Sequence, residues 1–481
     1  MQRSSFGCHT LRLLYAVLCI GLLTQVAAAA QALPNLVIIL ADDMGYGDPR
    51  CFNGESRIAT PSIDCLAREG MRFTDAHSPA AWCTPSRYGL LTGRYPWRSP
   101  RKLDEGMIEP GRLTLPAMLQ SKGYRTACIG KWHLGFIGSA ESRDFTQPFR
   151  RGPIDQGFHH FYGMHASLDI PPYYWIENDR CVSPPTVPVA ASSSPDVTPI
   201  QGAFWRAGLQ AAEFRHADVL PTIAGRAQQW IREQPNDGSQ PFFLYVPLTA
   251  PHTPWLPVQD QQGRSDVGDY GDFTQQVDGV VGEILRTLDE SNQSENTIVV
   301  FSSDNGPVWY AQDVAKYGHR STGPLRGMKA DMWEGGHRVP FIVRWPGQVP
   351  ADTRSDALLC FTDLLATMAA VVETQLPTDA GEDSVNQLAV WKAETGAADP
   401  RTELVIEGRV IRQGKWKLIR GAAAGGLARY GEPRDQPPPG DPLLFNLADD
   451  LGEQHDLAQA EPEQVRQMLE RLDEIRRQSG R

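Results

Sequence analysis

The chain is poor in positive charge: 46 Lys and Arg stand against 57 Asp and Glu, a formal net charge of −11. Such a balance argues against nucleic acid or an anionic membrane surface as a partner. No Cys-x-x-Cys pair occurs, so the spacing that announces a structural zinc site is missing. No internal repeat is visible. Residues 13–23 form an apolar run too short for the roughly 20 residues of a spanning helix, so stable membrane insertion is not expected.

That run follows Arg3 and Arg12 and leads into small residues, Ala27 to Ala30. The pattern is that of a secretory signal peptide over 1–30, cut near Ala30 or Ala32. An exported protein, periplasmic or extracellular (lysosomal in an animal), is the expectation. Past the leader six cysteines remain: Cys51, Cys65, Cys83, Cys128, Cys181 and Cys360. In an oxidising compartment an even count normally suggests disulfides. If chemistry consumes Cys83, at most two bridges can form.

The rest of the chain has an ordinary globular balance, 41% hydrophobic and 21% charged. Four apolar runs each lead into polar, reactive residues. Leu36-Val37-Ile38-Ile39-Leu40-Ala41 precedes Asp42-Asp43, and Tyr124-Arg125-Thr126-Ala127-Cys128-Ile129 precedes Gly130, Lys131 and His133. Phe242-Phe243-Leu244-Tyr245-Val246 runs toward His252, and Thr297-Ile298-Val299-Val300-Phe301-Ser302 toward Asp304-Asn305. Continuous apolar runs of this length suit strands buried on both faces, hence a mainly parallel sheet. Helical spacing appears between them, as over 274–288, where Val277, Val280, Val281, Ile284, Leu285 and Leu288 share one stripe. The fold class is therefore α/β, a large mainly parallel sheet sandwiched by helices. Open sheets of this kind bind ligands beyond the carboxyl ends of their strands, which would gather the four polar clusters on one rim.

After an apolar helix over 361–372 the composition shifts at 375–382, with Pro377 and Gly381. We expect a catalytic unit over 33–375 and a smaller C-terminal α+β subdomain over 376–481. The latter holds short strands at Leu404-Val405-Ile406 and Trp416-Lys417-Leu418-Ile419 and a last helix over 461–478.

Cys83-Thr84-Pro85-Ser86-Arg87 is followed by Tyr88-Gly89-Leu90-Leu91-Thr92-Gly93-Arg94. Pro85 fits a first helical turn and Gly93 a C-terminal stop, so Cys83 should sit at a helix amino end with Arg87 one turn along. Such a place attracts an anionic substrate or lowers a thiol pKa. Asp42, Asp43, Asp304 and Asn305 are hard oxygen donors suited to Ca²⁺ or Mg²⁺.

The Cys83 to Arg94 segment resembles the type I sulfatase signature. The likeness extends over nearly the whole mature chain through Asp42-Asp43-Met44-Gly45-Tyr46-Gly47-Asp48, Gly130-Lys131-Trp132-His133-Leu134-Gly135, Pro251-His252, Asp304-Asn305-Gly306 and Gly323-Pro324-Leu325-Arg326-Gly327-Met328-Lys329. Glu334-Gly335-Gly336 and Leu444-Phe445-Asn446-Leu447 continue it. The resemblance implies an alkaline phosphatase-like fold and hydrolysis of aryl or carbohydrate sulfate esters. It implies that a formylglycine-generating maturation enzyme converts Cys83 to Cα-formylglycine, whose hydrate attacks sulfur and then expels sulfate through its second hydroxyl. It further implies a divalent ion, usually Ca²⁺ with Mg²⁺ as the alternative, held by Asp42, Asp43, Asp304, Asn305 and residue 83. Arg87 would stabilise the hydrate, Lys131, Lys329 and His252 would contact sulfate oxygens, His133 would serve the second hydroxyl, and His252 or Lys329 would protonate the leaving alcohol.

Phosphonate and phosphodiester hydrolases of the same superfamily share the aldehyde nucleophile, and the Lys131, His133, His252 and Lys329 set favours sulfate. A non-catalytic binder of sulfated glycans and a secreted protein with unmodified Cys83 are the readings from other classes. Tyr162, Tyr173, Tyr174, Trp175, Trp205, Trp255 and Trp309 are expected near the rim, where they could stack on a sugar or aryl ring. His159, His160, His165 and His216 are expected to be structural, and His319 to line the pocket.

Overall fold

A computed structural model describes residues 33–138, 144–195, 197–396, 398–423, 427 and 440–478. The expected leader lies outside the described residues. The strands used below are β1 (Asn35–Asp42), β2 (Met71–Phe73), β3 (Arg125–Lys131), β4 (His160–Met164), β5 (Ile176–Glu177), β6 (Arg180–Cys181), β7 (Phe242–Pro251), β8 (Thr297–Ser303), β9 (Phe341–Arg344), β10 (Thr353–Ser355), β11 (Glu403–Ile406), β12 (Val410–Gln413), β13 (Trp416–Ile419) and β14 (Leu443–Asn446). The helices are α1 (Pro61–Arg68), α2 (Cys83–Thr92), α3 (Leu115–Ser121), α4 (Val219–Arg232), α5 (Gly268–Glu290), α6 (Asp363–Val371) and α7 (Pro462–Arg477).

Ten strands form one sheet in the order β10, β2, β9, β8, β1, β7, β3, β4, β5, β6. Its centre, β8 to β4, is wholly parallel, and antiparallel partners join at the flanks. Every residue of β1, β7 and β8 is buried, which is why these segments read as unbroken apolar runs rather than alternating ones. Leu36 lies level with Phe243 on one side and Ile298 on the other. That register brings the carboxyl ends of three strands to the same height. Helices α1, α4 and α5 pack together over one face, and α2, α3 and α6 form a second group. This is the doubly covered α/β sheet expected from the sequence.

Strand ends differ from expectation where it matters. β3 runs on to Lys131 and β7 to Pro251, so Lys131 and His252 stand at the strand ends themselves. Helix α2 begins at Cys83 and stops at Gly93, whose left-handed φ of 65° lets its N–H reach the Gly89 carbonyl.

Strands β11 to β14 make a separate antiparallel meander. Met468, Leu472 and Ile475 of α7 cover it. Its apolar cluster also takes in Ala81, Met332 and Trp333, so the small sheet packs beneath the segments that carry Cys83 and Lys329. The six cysteines among the described residues are free thiols, against the expectation of bridges. No helix among the described residues is long and apolar enough to cross a membrane.

Candidate active site

The carboxyl ends of β1, β3, β7 and β8 deliver Asp42, Lys131, His252 and Asp304 to one rim, and the amino end of α2 brings Cys83 to it. Asp42 is fully buried and its Oδ2 accepts from Lys131 Nζ at 2.5 Å. Burial opposes its ionisation, but Lys131, His252, Arg87 and Lys329 together hold its carboxyl well below the usual carboxylate range. Asp43 accepts from Lys329 Nζ at 2.6 and 2.8 Å and from Asn305 Nδ2 at 2.7 Å. Burial works against the Lys329 cation, yet Asp43 beside it keeps it protonated above the ordinary lysine range.

Arg87 is buried and each of its three nitrogens donates a hydrogen bond. Its Nε and Nη2 donate to Asp304 Oδ2 at 3.1 and 2.7 Å, and its Nη1 to the Lys131 carbonyl at 2.8 Å. It therefore fixes Asp304 and the end of β3, rather than adding a cation dedicated to the cysteine. Burial and the neighbouring Asp42 push Asp304 up to about 6 even so. The Cys83 thiol is also raised, by burial foremost, although Lys131 and Lys329 oppose the shift. The helix amino end does not make Cys83 a low-pKa nucleophile, contrary to one expectation, because desolvation outweighs the nearby cations.

Asp43, His133 and Ala330 have positive φ of 63°, 55° and 73°. Left-handed backbone at non-glycine residues costs roughly 1–2 kcal/mol each and collects at functional sites. Here it turns three site segments in the space of one rim. His133 is buried, and burial, followed by Lys131 and Arg87, holds it well below its usual pKa. It is neutral at pH 7, and its Nδ1 has no hydrogen-bond partner. His252 Nδ1 donates to the Thr253 carbonyl at 2.6 Å, which leaves Nε2 facing Asp43 Oδ2 at 3.6 Å.

Asp42, Cys83 and Asp304 offer ligand atoms within 4.8 Å of one another. Asp42 Oδ1 and Asn305 Oδ1 are buried without a partner. Unpartnered buried oxygens beside a cluster of three carboxylates fit a hard divalent cation. A second group, His77, Glu334 and His337, also lies within ligand range, but Lys417 Nζ stands 3.0 Å from Glu334 Oε1 and 3.3 Å from His337 Nε2, so a cation already occupies its centre.

A cavity of about 360 Å³ opens above the rim, with Asp43, Cys83, His133, His252 and Lys329 in its wall. Of the aromatics expected there, Trp255 alone lines it. Tyr162 stacks on Trp175 and Trp205 on His216, Trp309 packs tilted against Tyr270, and Tyr173 and Tyr174 are buried. His319 does not line it. The imidazole is buried with Nε2 2.8 Å from Asp48 Oδ1. Of the histidines read as structural, His159, His165 and His216 spend their ring contacts on Thr126, Pro172 and Trp205. Sequence reasoning missed Trp82, Asp169, Gln201, Arg206 and Tyr270 in the wall. Trp82 alone had a signal, its place next to Cys83.

Residues 34–374 match the family model described as Sulfatase. The chain is 32% identical over 485 residues to the N-acetylgalactosamine-6-O-sulfatase of Bacteroides thetaiotaomicron, covering 92% of this chain and 93% of the relative. It is 33% identical over 494 residues to human arylsulfatase A, covering 92% and 88%. A solved structure described under the metabolism of multiple glycosaminoglycans by Bacteroides thetaiotaomicron superposes with a TM-score of 0.81 at 32% identity, covering 94% of this chain and all of that one. With the parallel sheet, the cluster at its rim and these likenesses in hand, the chain belongs to the sulfatase family, the type I sulfuric ester hydrolases of alkaline phosphatase-like fold.

Proposed function

We propose that this protein releases sulfate from a sugar sulfate ester by means of a formylglycine at position 83 and a divalent cation. The observation that carries the reading is that Cys83, Asp43, His133, His252 and Lys329 line one cavity, with Asp42, Asp304, Asn305 and Lys131 fully buried against them. Asp42, Asp43, Asp304, Asn305 and residue 83 are the ligands we assign to the ion, Ca²⁺ or Mg²⁺. When bound, it would neutralise the crowded carboxylates and draw negative charge from a sulfate oxygen. As formylglycine hydrate, residue 83 would supply one hydroxyl to attack sulfur and a second whose deprotonation releases the sulfate.

The remaining steps belong to side chains in place. Lys131 and Lys329 donate to sulfate oxygens and spread the charge of the transition state. His133, neutral and with Nδ1 unpartnered, accepts the proton of the second hydroxyl. His252, doubly protonated with its Nδ1–H on the Thr253 carbonyl, delivers its Nε2 proton to the leaving alcohol, with Lys329 Nζ as the alternative donor. Arg87 holds Asp304 in place. The relative's action on an N-acetylgalactosamine 6-sulfate makes that ester the first substrate to try. We assign 33–375 to the catalytic unit and 376–481 to the smaller subdomain, and we assign 1–30 to an export signal, with a maturation enzyme as the partner that modifies Cys83.

Extraction of the metal with a strong chelator should abolish sulfate release from N-acetylgalactosamine 6-sulfate, and Ca²⁺ or Mg²⁺ should restore it. Full activity in a preparation shown to be metal-free would refute the metal assignment.

A further inference from the structure

The cavity has a catalytic floor and an outer wall, and the outer wall carries one charged group whose hydrogen bonding is incomplete. Asp169 lies in the segment after β4, buried to 7% exposure. Arg206 Nη1 donates to Asp169 Oδ2 at 2.6 Å and to the Asp169 carbonyl at 3.1 Å, and the Arg206 backbone N–H donates to the same carbonyl at 3.3 Å. Tyr173 O–H in turn holds the Arg206 carbonyl at 2.7 Å. These bonds fix the carboxylate while consuming only one of its oxygens. Oδ1 is buried and has no partner. Both Asp169 and Arg206 line the cavity.

A carboxylate oxygen left unpaired in a buried place costs about 1–3 kcal/mol or more, and one held rigidly on a residue that lines a ligand cavity is a preformed acceptor. The donor it calls for is neutral, because Arg206 already balances the charge. The same wall carries Trp82, Ile170, Ile200 and Trp255, with Thr84, Ser167 and Thr253 among them. Apolar surface plus a rigid carboxylate acceptor matches a sugar ring, whose C–H face packs on hydrophobic surface while a hydroxyl hydrogen bonds at its rim. An aryl ring has no such donor. At about 360 Å³ the cavity is near the lower end of the roughly 300–1,000 Å³ span of small-molecule pockets. That suits one terminal sugar residue rather than the interior of a polymer.

Resting on the sulfatase reading above, we infer that Asp169 Oδ1 accepts a hydrogen bond from a ring hydroxyl of the sugar that bears the sulfate, with Arg206 as the positioning residue that orients the carboxylate. Asp169 thereby selects carbohydrate over aryl sulfates. A site built to bond a hydroxyl discriminates strongly, because the alternative leaves its own polar group unpaired.

The test uses the mature, metal-loaded enzyme with N-acetylgalactosamine 6-sulfate as substrate and inorganic sulfate as a probe of the floor. Asp169→Ala should lower kcat/KM by about 100-fold or more, and Asp169→Asn, which keeps the shape, by about 10-fold. Both should retain the wild-type rise in Tm on adding inorganic sulfate. A loss below about 3-fold in Asp169→Ala would overturn the inference. So would loss of the sulfate-induced Tm shift in both variants, which would make Asp169 a support of the floor. Failure of the parent reading looks different: wild type would then release sulfate from neither this ester nor 4-nitrophenyl sulfate.

Discussion

Single residues carry opposed charges at distances where each decides its neighbour's state. Asp42 and Lys131, Asp43 and Lys329, and Asp304 and Arg87 are three buried pairs, and removing one partner of such a pair leaves an uncompensated charge. His133 is the informative exception, because burial first, and the nearby Lys131 and Arg87 cations after it, keep it neutral. If it takes the proton that lets sulfate leave, His133→Ala should lower kcat by about 10²- to 10⁴-fold. A rapid first turnover and sulfated enzyme should then accumulate, read by quenched-flow kinetics and intact mass. A proportional slowing of the first turnover would place His133 in the attack step instead. These residues were legible because each follows an apolar strand run or sits in a recognisable motif. The pairing of Arg87 with Asp304 was not legible, since it depends on which partner across 217 residues comes within reach.

Elements were read unevenly for a physical reason. β1, β3, β7 and β8 are buried on both faces, and their composition announces it. Asp169 and Arg206 of the outer wall, by contrast, lie in segments between β4 and α4 where no periodicity marks them. The same region holds His216, stacked on Trp205 with ring centroids 4.7 Å apart and edge-on to Tyr173 at 4.5 Å. Burial pushes its imidazole down to about 4. The folded state then binds fewer protons than the unfolded state between about pH 4 and 6.5, so stability rises with pH across that window and is lost as pH falls through it. The loss should be on the order of 1 to 2 kcal/mol, allowing for the ring's partial exposure. His216→Phe keeps the stack and removes the titration, so urea midpoints measured from pH 7 to 4 should fall less steeply than in wild type. Parallel slopes would contradict the assignment.

At the scale of the whole molecule, the small C-terminal sheet is joined to the catalytic sheet by buried charge as well as by apolar packing. Lys417 of β13 is fully buried and reaches Glu334 Oε1 at 3.0 Å and Glu453 Oε1 at 2.7 Å. Burial opposes the Glu334 anion, yet Lys417, His77, His337 and Arg338 hold its carboxyl well below the usual range. Glu334 opens the turn whose Gly336 carbonyl accepts from Gly306 N–H at 2.9 Å, next to Asn305. Lys417→Met should therefore destabilise by about 3–5 kcal/mol, seen as a lower denaturant midpoint, and should lower activity by loosening Asn305. A midpoint unchanged from wild type would show that the two sheets do not depend on this charge. The sequence displayed the small sheet and its helix through short apolar strands and helical spacing, but not this linkage, because Glu334, Lys417 and Glu453 are brought together only by the fold.

The central claim is that residue 83 acts as formylglycine, and its most direct test is the intact mass of Cys83→Ser protein after incubation with N-acetylgalactosamine 6-sulfate. A serine provides one hydroxyl and lacks the second that would expel the group. With the introduced serine shown to be unmodified and the wild-type peptide shown to carry the aldehyde, the variant should gain one sulfate at position 83 and stop after at most one turnover. An unmodified serine variant that turned over repeatedly at the wild-type rate would contradict the mechanism.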